Sequence, residues 1–433
     1  MLTLKQNTML GDVPNDWGRK PLHSLLSANF PGDWGDDRGP YMSKVLRSTN
    51  LTNDGRLNLT DIALRALPKM KVDVLTPKAN DILLERSGGG PGQPVGRVGF
   101  VPTDMQEHGF SNFLHLLRPN IGEIDPRFLA WVLYQVNRSG RIIREQTTQM
   151  RNLHFRDYLT MLLPVPSRDE QAAIARILDG VDTALEHIRA AVDRARELRR
   201  GLLQAAFEFE FSKEPKKQTD AGQIPESWDA IKGKHAFVVV TGGSSSVDAL
   251  HLPRNGETPD AWFMKVDDFN LPSNRRTIVR TKIGFRTSTN RLFKLHPPGT
   301  VVIAKRGAAI LKNRVRTTAA PIALDPNLMA LQVLPGMLPE FLRCQLDWRN
   351  LSRYVENSGI PQLNNKDLYP RYFLRAPDDR QRQIIETVAA AEAQEDALVA
   401  KSEALEVLKK SLMHDLLTGR VRVKASRRPL RHD

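Results

Sequence analysis

Apolar residues at Ile174, Leu178, Val181, Leu185, Ile188, Val192, Ala195, Leu198 and Leu202 advance along the chain in fours and threes, with one reset near the end. That spacing draws a narrow stripe on a helix, the seam of a coiled coil rather than the broad face that packs into a globular core. A second stripe near the C-terminus, Ile384, Val388, Ala391, Leu398, Leu405, Leu408 and Leu412, repeats it and is interrupted by Glu395 and Ser402. Polar residues at seam positions weaken packing and serve register or a partner. From Gln171 to Phe207 the first helix predicts a rod of about 55 Å at 1.5 Å per residue, too long to hide inside one globule. If the second helix runs back along the first, the two seams cover each other.

The stretches around these helices read differently. Residues 1–166 and 213–377 mix short strand-like runs (Val98 to Val101, Thr300 to Ala304, Ile322 to Leu324) with Gly/Pro turns, and each has one short amphipathic helix, at "FLAWVLY" from Phe128 or "FLRCQLD" from Phe341. The two halves also resemble each other. "DVPNDW" before Gly18 pairs with "QIPESW" before Asp229, "KVLRSTNL" from Lys44 with "KVDDFNL" from Lys265, and "DILLER" from Asp81 with "TVVIAKR" from Thr300. From "QMRNL" and "GIPQL" onward the offset stays at 210: Gln171 falls on Gln381, Ile174 on Ile384, Leu178 on Val388, Leu198 on Leu408, and Arg199-Arg200 on Lys409-Lys410. A duplication is therefore expected. The predicted fold class is α+β, with two similar globules separated by two long antiparallel coiled-coil helices and related by a pseudo-twofold. The expected order is a globule over 1–166, a spacer helix over 167–212, a globule over 213–377, a spacer helix over 378–420 and a basic tail over 421–433.

Charge turns this plan toward nucleic acid. Sixty-three Lys and Arg against 49 Asp and Glu leave a formal charge of +14, and such an excess gains most by displacing counterions from a phosphate polymer. The segment "IAKRGAAILKNRVRTT" (Ile303 to Thr318) carries Lys305, Arg306, Lys312, Arg314 and Arg316 with no acid, and Asn313 among them. Arg pairs bidentately with guanine and Asn with adenine, while Lys mostly meets phosphate. By the repeat, Arg86 is the partner of Arg306, and Arg97 lies on the glycine-rich loop beyond it. Lys44 and Lys265 take equivalent places before turns, with Arg47, Asn50, Arg275 and Arg276 nearby. All fourteen are candidate DNA contacts. In the tail, Arg420, Arg422, Lys424, Arg427, Arg428 and Arg431 would add sequence-independent attraction or simply solvate the end. Two similar modules at fixed separation suit two half-sites on duplex DNA, which lie about 34 to 36 Å apart per helical turn. Because the modules differ in sequence, the target is expected to be split and asymmetric.

Several chemistries find no support. Cys344 is the only cysteine, which excludes an internal disulfide and any zinc site with two thiolates. No run approaches the roughly 20 apolar residues that span a bilayer, and the N-terminus lacks an export signal, so a cytoplasmic protein without membrane contact is expected. There is no Asn/Asp-Pro-Pro-aromatic motif for amino-group methylation, "HPPG" at His296 not qualifying, and no G-x-x-x-x-G-K-[ST] loop. The glycine-rich "RSGGGPGQPVGRVG" (Arg86 to Gly99) lacks the following Lys-Ser/Thr and reads as a turn or a loop over DNA. No metal, no cofactor and no catalysis by the chain itself are expected.

The segments "PVPSRDEQAAIARILDGVD", "RAPDDRQRQIIETVA", "LLTGRVRV" (Leu416 to Val423), "TTQMRNLHFRDYLTMLLPVP" and "NSGIPQLNNKDLYPRYFLRAP", in this paired order, resemble the specificity subunit of type I restriction-modification enzymes over nearly the whole length. The resemblance implies two target recognition domains, each reading half of a bipartite site on double-stranded DNA. It implies that the two antiparallel helices dock two methyltransferase (modification) subunits, which bring S-adenosylmethionine, and that an ATP-dependent translocase and endonuclease subunit joins them. Two departures stand out: the Glu of the first helix opening (Glu170) is Arg380 in the second, and the Leu-Leu-Thr-Gly ending of the second helix is "LLQAAFEFEF" in the first. Two other readings remain at this point. A single-chain restriction nuclease would cut plasmid with Mg²⁺ unaided, and a coiled-coil adaptor without DNA binding would show no salt-dependent duplex affinity.

Overall fold

The computed structural model describes residues 4–88, 95–141, 144–146, 151–209, 213–243, 258–287, 294–355 and 360–423. The chain forms two compact units, one of residues 1–187 with 402–433 and the other of residues 188–401. Two long helices, Arg168–Phe207 and Asp378–Leu417, each 40 residues, contribute one half to each unit. Among the described residues no helix is long and apolar enough to cross a membrane.

In the first unit an antiparallel sheet runs in the order Leu26–Pro31, Leu114–Pro119, Ile82–Glu85, Val98–Phe100. Every side chain of Ile82–Glu85 is buried, as expected of an apolar run covered on both faces. A smaller sheet has Met42–Leu46 at its centre, parallel to His108–Phe110 and antiparallel to Ala63–Ala66. The short helix Pro126–Arg138 starts with Pro at its first position, and Asp125 accepts the Phe128 N–H at 2.8 Å. Its apolar face packs with Ile174 and Leu178 of the long helix.

The second unit repeats this plan. Phe237–Thr241, Leu328–Val333, Val301–Ala304 and Arg316–Thr318 form the larger sheet, extended by Thr277–Ile278. The smaller sheet again has a central strand, Ala261–Met264, with one parallel neighbour, Ile322–Leu324, and one antiparallel, Ile283–Phe285. The helix Pro339–Arg349 stands where Pro126–Arg138 stands in the first unit, and Ile384 and Val388 enter its core as Ile174 and Leu178 enter the other. The two α+β globules and the antiparallel run of the helix halves follow the plan expected from the repeat.

One stretch of each seam differs from expectation, and in the same way. Leu198 is 50% exposed and Leu408 46%, whereas their neighbours Arg199 and Lys409 turn inward and Leu203 and Met413 are buried. A helix with 3.6 residues per turn drifts relative to a 3.5-residue stripe, so the buried line passes from Ala195 to Arg199 and Leu203 instead of to Leu198 and Leu202. Glu395, a polar interruption of the second stripe, is buried and ion-paired to Arg196, Arg199 and Arg276, which fixes register rather than merely loosening the seam.

Candidate nucleic-acid interface

Each globule is tied to its helix halves by the same three devices. The first is a glutamine on the first turn of the long helix. Gln171 donates to the Pro166 carbonyl at 2.8 Å while its Oε1 accepts the Asp125 N–H at 2.6 Å. Gln381 donates to the Ala376 carbonyl and accepts the Leu338 N–H, both at 2.8 Å. Both amides are buried, and each satisfies backbone groups that the start of a short helix leaves open.

The second device is an arginine on the loop after the central strand of the small sheet. Arg56 reaches Asp182 and Glu186 of the first long helix, and Arg276 reaches Glu392, Glu395 and Asp396 of the second. At the offset of 210, Asp182 falls on Glu392 and Glu186 on Asp396. The third device crosses between helix halves. Lys409 donates to Asp182 with its ammonium 4.9 Å from the centre of the Trp131 ring, and Arg199 pairs with Glu395 at 3.0 Å and with Asp347. Burial pushes the Asp182 carboxyl up, but hydrogen bonds and charge from Lys409 and Arg56 hold it net below the ordinary carboxylate range. Glu395 is likewise lowered, burial being outweighed by Arg276 and Arg199.

These devices reassign several candidate DNA contacts. Arg276 belongs to the clamp. Arg97 is buried with all its donor nitrogens engaged: two meet Glu85, at 2.9 and 2.8 Å, and two meet the carbonyls of Leu51 and Ser48. Asn50 is buried and closes its own loop, donating to the carbonyls of Asn58 and Asp61 and accepting the Arg47 N–H. Asn313 adopts a left-handed backbone, φ +46°, donates to the Asp347 carbonyl and accepts the Leu351 N–H. In this structure each of these amides and guanidinium groups is engaged by partners within the protein. Arg47 pairs with Asp61 at 2.8 Å, and Arg275 is half-buried. In the tail, Arg422 pairs with Glu170 and Asp16 over the Trp17 ring; Lys424, Arg427, Arg428 and Arg431 lie outside the described residues, as do residues 89–94 of the glycine-rich stretch.

Others remain on the surface. Lys44, Arg86, Lys265, Arg306 and Lys312 are exposed, and Lys305 is half-buried beside Arg306. Arg314 donates to Asn270, and Arg316 to the carbonyls of Asn274 and Val315. Burial, with the like charge of Arg276 and Arg314, pushes the Arg316 guanidinium down to about 10. Lys312, Arg314 and Arg316 line a cleft of about 670 Å³ in the second unit, together with Arg200 and Arg353. A second cleft there, about 650 Å³, lies beside Trp228 and Ile384 and balances Lys213 and Arg380 against Glu214 and Asp379.

Sequence reading missed Arg56, Asp182, Glu392 and the inward role of Arg199 and Lys409. The signal was present: Arg199-Arg200 over Lys409-Lys410, and acids at the same repeat offset, mark positions whose charge is kept on both copies.

No family model matches the chain. A Methanocaldococcus jannaschii protein provisionally named as the MjaX type I restriction enzyme specificity subunit is 21% identical over 433 residues, covering 97% of each chain. The MjaVIII specificity subunit of the same organism is 21% identical over 95% of this chain and 94% of its own. The EcoBI specificity subunit of Escherichia coli is 24% identical over 214 residues, 46% of this chain and 43% of its own. Among solved structures, the type I restriction-modification S subunit from M. genitalium superposes with a TM-score of 0.58 at 16% identity, covering 96% of this chain and 98% of that one. A chain from a structure of type I R-M system assembly gives 0.53 at 15%, covering 94% and 99%. In sequence over nearly its whole length, and in fold, the chain is similar to the specificity subunits of type I restriction enzymes, the family that its paired motifs resemble.

Proposed function

We propose that the protein is the non-catalytic DNA-recognition subunit of a type I restriction-modification enzyme, acting in the cytoplasm on a bipartite, asymmetric duplex site. The observation that carries this reading is the duplicated junction. The same glutamine, loop arginine and cross-helix cation tie each globule to its helix halves, while the residues beside the equivalent exposed pairs Lys44/Lys265 and Arg86/Arg306 differ: half-buried Lys305 precedes Arg306 where buried Glu85 precedes Arg86, and exposed Lys312 lies beyond Arg306 where the glycine-rich stretch lies beyond Arg86. A kept scaffold with divergent exposed residues is what two readers of two different half-sites require. The helices set the half-site separation. Leu198 and Leu408, exposed at equivalent positions, offer two like surfaces on which two methyltransferase subunits dock, and the ATP-dependent restriction subunit joins that assembly.

Replacing Lys305 and Arg306 together by Ala is expected to weaken discrimination at the second half-site by about 1–3 kcal/mol per lost base contact and leave the first half-site untouched. Competition between duplexes altered in one half at a time measures this. Equal loss at both halves would show that these side chains meet only phosphate.

A further inference from the structure

The cleft in the second unit unites positive groups from three places in the chain: Arg200 on the first long helix, Lys312, Arg314 and Arg316 around the strand Arg316–Thr318, and Arg353 after the helix Pro339–Arg349. Among the described residues no carboxylate pairs with any of these five. The acids on its wall are already occupied, Asp347 by Arg199 and Glu208 by the Gln204 amide. Arg316 is the telling member. Its guanidinium donates only to backbone carbonyls; the like charges of Arg276 and Arg314 oppose it, and the acid that favours it, Asp347, is already held by Arg199. Gathering like charges in a partly desolvated recess is unfavourable unless an anion completes it, and a folded protein keeps such a cluster where a ligand supplies the missing charge.

The recess also continues sideways. Trp348 and Arg353 line both this cleft and a smaller one of about 310 Å³, where Arg371, Tyr354 and Tyr372 stand. Positive groups at intervals along a groove fit a chain of phosphates better than a single isolated anion.

We propose that this groove seats the phosphodiester backbone of DNA beside the second half-site, gripping it without reading bases. The proposal rests on the DNA-recognition reading above. It adds that Arg200, on the spacer helix, and Arg353 are phosphate contacts outside the base-reading surface of the globule.

The test uses the full chain with Arg200→Ala and Arg353→Ala combined; both side chains are exposed, so folding is preserved. Binding to a duplex is measured against salt from 0.05 to 0.3 M, on the target sequence and on a scrambled one. Each phosphate contact contributes roughly 0.9 to the slope of log affinity against log salt. The double variant is expected to lower that slope by about two, weaken both duplexes alike by ~10-fold or more at 0.1 M salt, and leave their ratio unchanged. An unchanged slope, or loss confined to the target sequence, overturns the proposal. If the unaltered chain binds no duplex, the DNA-recognition reading itself fails. A melting shift with inorganic phosphate that the double variant abolishes would then reassign the cleft to free phosphate and overturn the backbone seat, and no shift would overturn it outright.

Discussion

Replacing Asp182 by Ala is expected to destabilise the first unit by roughly 3–5 kcal/mol. The reason is the company its carboxylate keeps. Asp182 is 4% exposed and receives both Lys409 from the other long helix and Arg56 from the globule. Lys409 is itself buried, 7% exposed, over the faces of Trp131 and Tyr134. Removing the acid strands an ammonium away from water, and the cost is that of an uncompensated buried charge rather than of one hydrogen bond. Urea unfolding of the full chain measures the loss. Replacing Lys409 by Met in the same background should recover a large part of it, because a buried ion pair is often no more stable than an apolar pair of similar volume. The pH dependence has a definite sign. The folded carboxyl titrates below its unfolded value of 3.8, so the unfolded chain takes up the proton first as pH falls. The stabilisation is therefore complete above that value and is lost as pH drops through the lower folded one. The Ala variant should show a shallower acid limb than the native chain; an equally steep limb would mean that other carboxylates carry the acid sensitivity.

Arg97→Ala is expected to cost a similar amount, about 3–5 kcal/mol, with no specific defect in DNA binding by the molecules that remain folded. On sequence grounds Arg97 is a DNA contact, a positive residue at the edge of a glycine-rich loop. In the fold it pins the loop after Met42–Leu46 to the buried Glu85, using three guanidinium nitrogens on four acceptors. Its loss leaves Glu85 buried without a counter-ion and takes a donor from each of the Leu51 and Ser48 carbonyls. Thermal melting and duplex titration together separate the two roles. A native melting curve with lost duplex affinity would return Arg97 to the DNA surface.

The parts of this architecture that were legible in the sequence are those governed by periodicity. The four-three stripe drew both long helices, and the constant offset of 210 paired Gln171 with Gln381 before either was known to bridge a helix start. The choice of which charged residues face outward was not legible, because one residue type serves opposite purposes. Arg97 and Arg306 sit in similar basic, glycine-containing stretches, yet one closes on Glu85 and the other is exposed. That difference depends on an acid twelve residues away on a neighbouring strand, which linear spacing does not reveal. Asn50 and Asn313 were drawn to bases by their amides, but a short polar side chain that satisfies its own loop is as common a use. The drift from Leu198 to Arg199 has a simpler origin. A heptad template continued too far overruns a helix of 3.6 residues per turn, and the repeat duplicated the slip at Leu408 and Lys409.

We propose that two divergent readers on one duplicated scaffold direct methylation to a split site. The most direct measurement is to co-express the chain with a type I methyltransferase partner that binds it and to map adenine methylation across the host genome by single-molecule sequencing. A two-part asymmetric motif that disappears when the chain is omitted is the predicted result. Methylation at an uninterrupted or palindromic sequence, or a motif that persists without the chain, would contradict it.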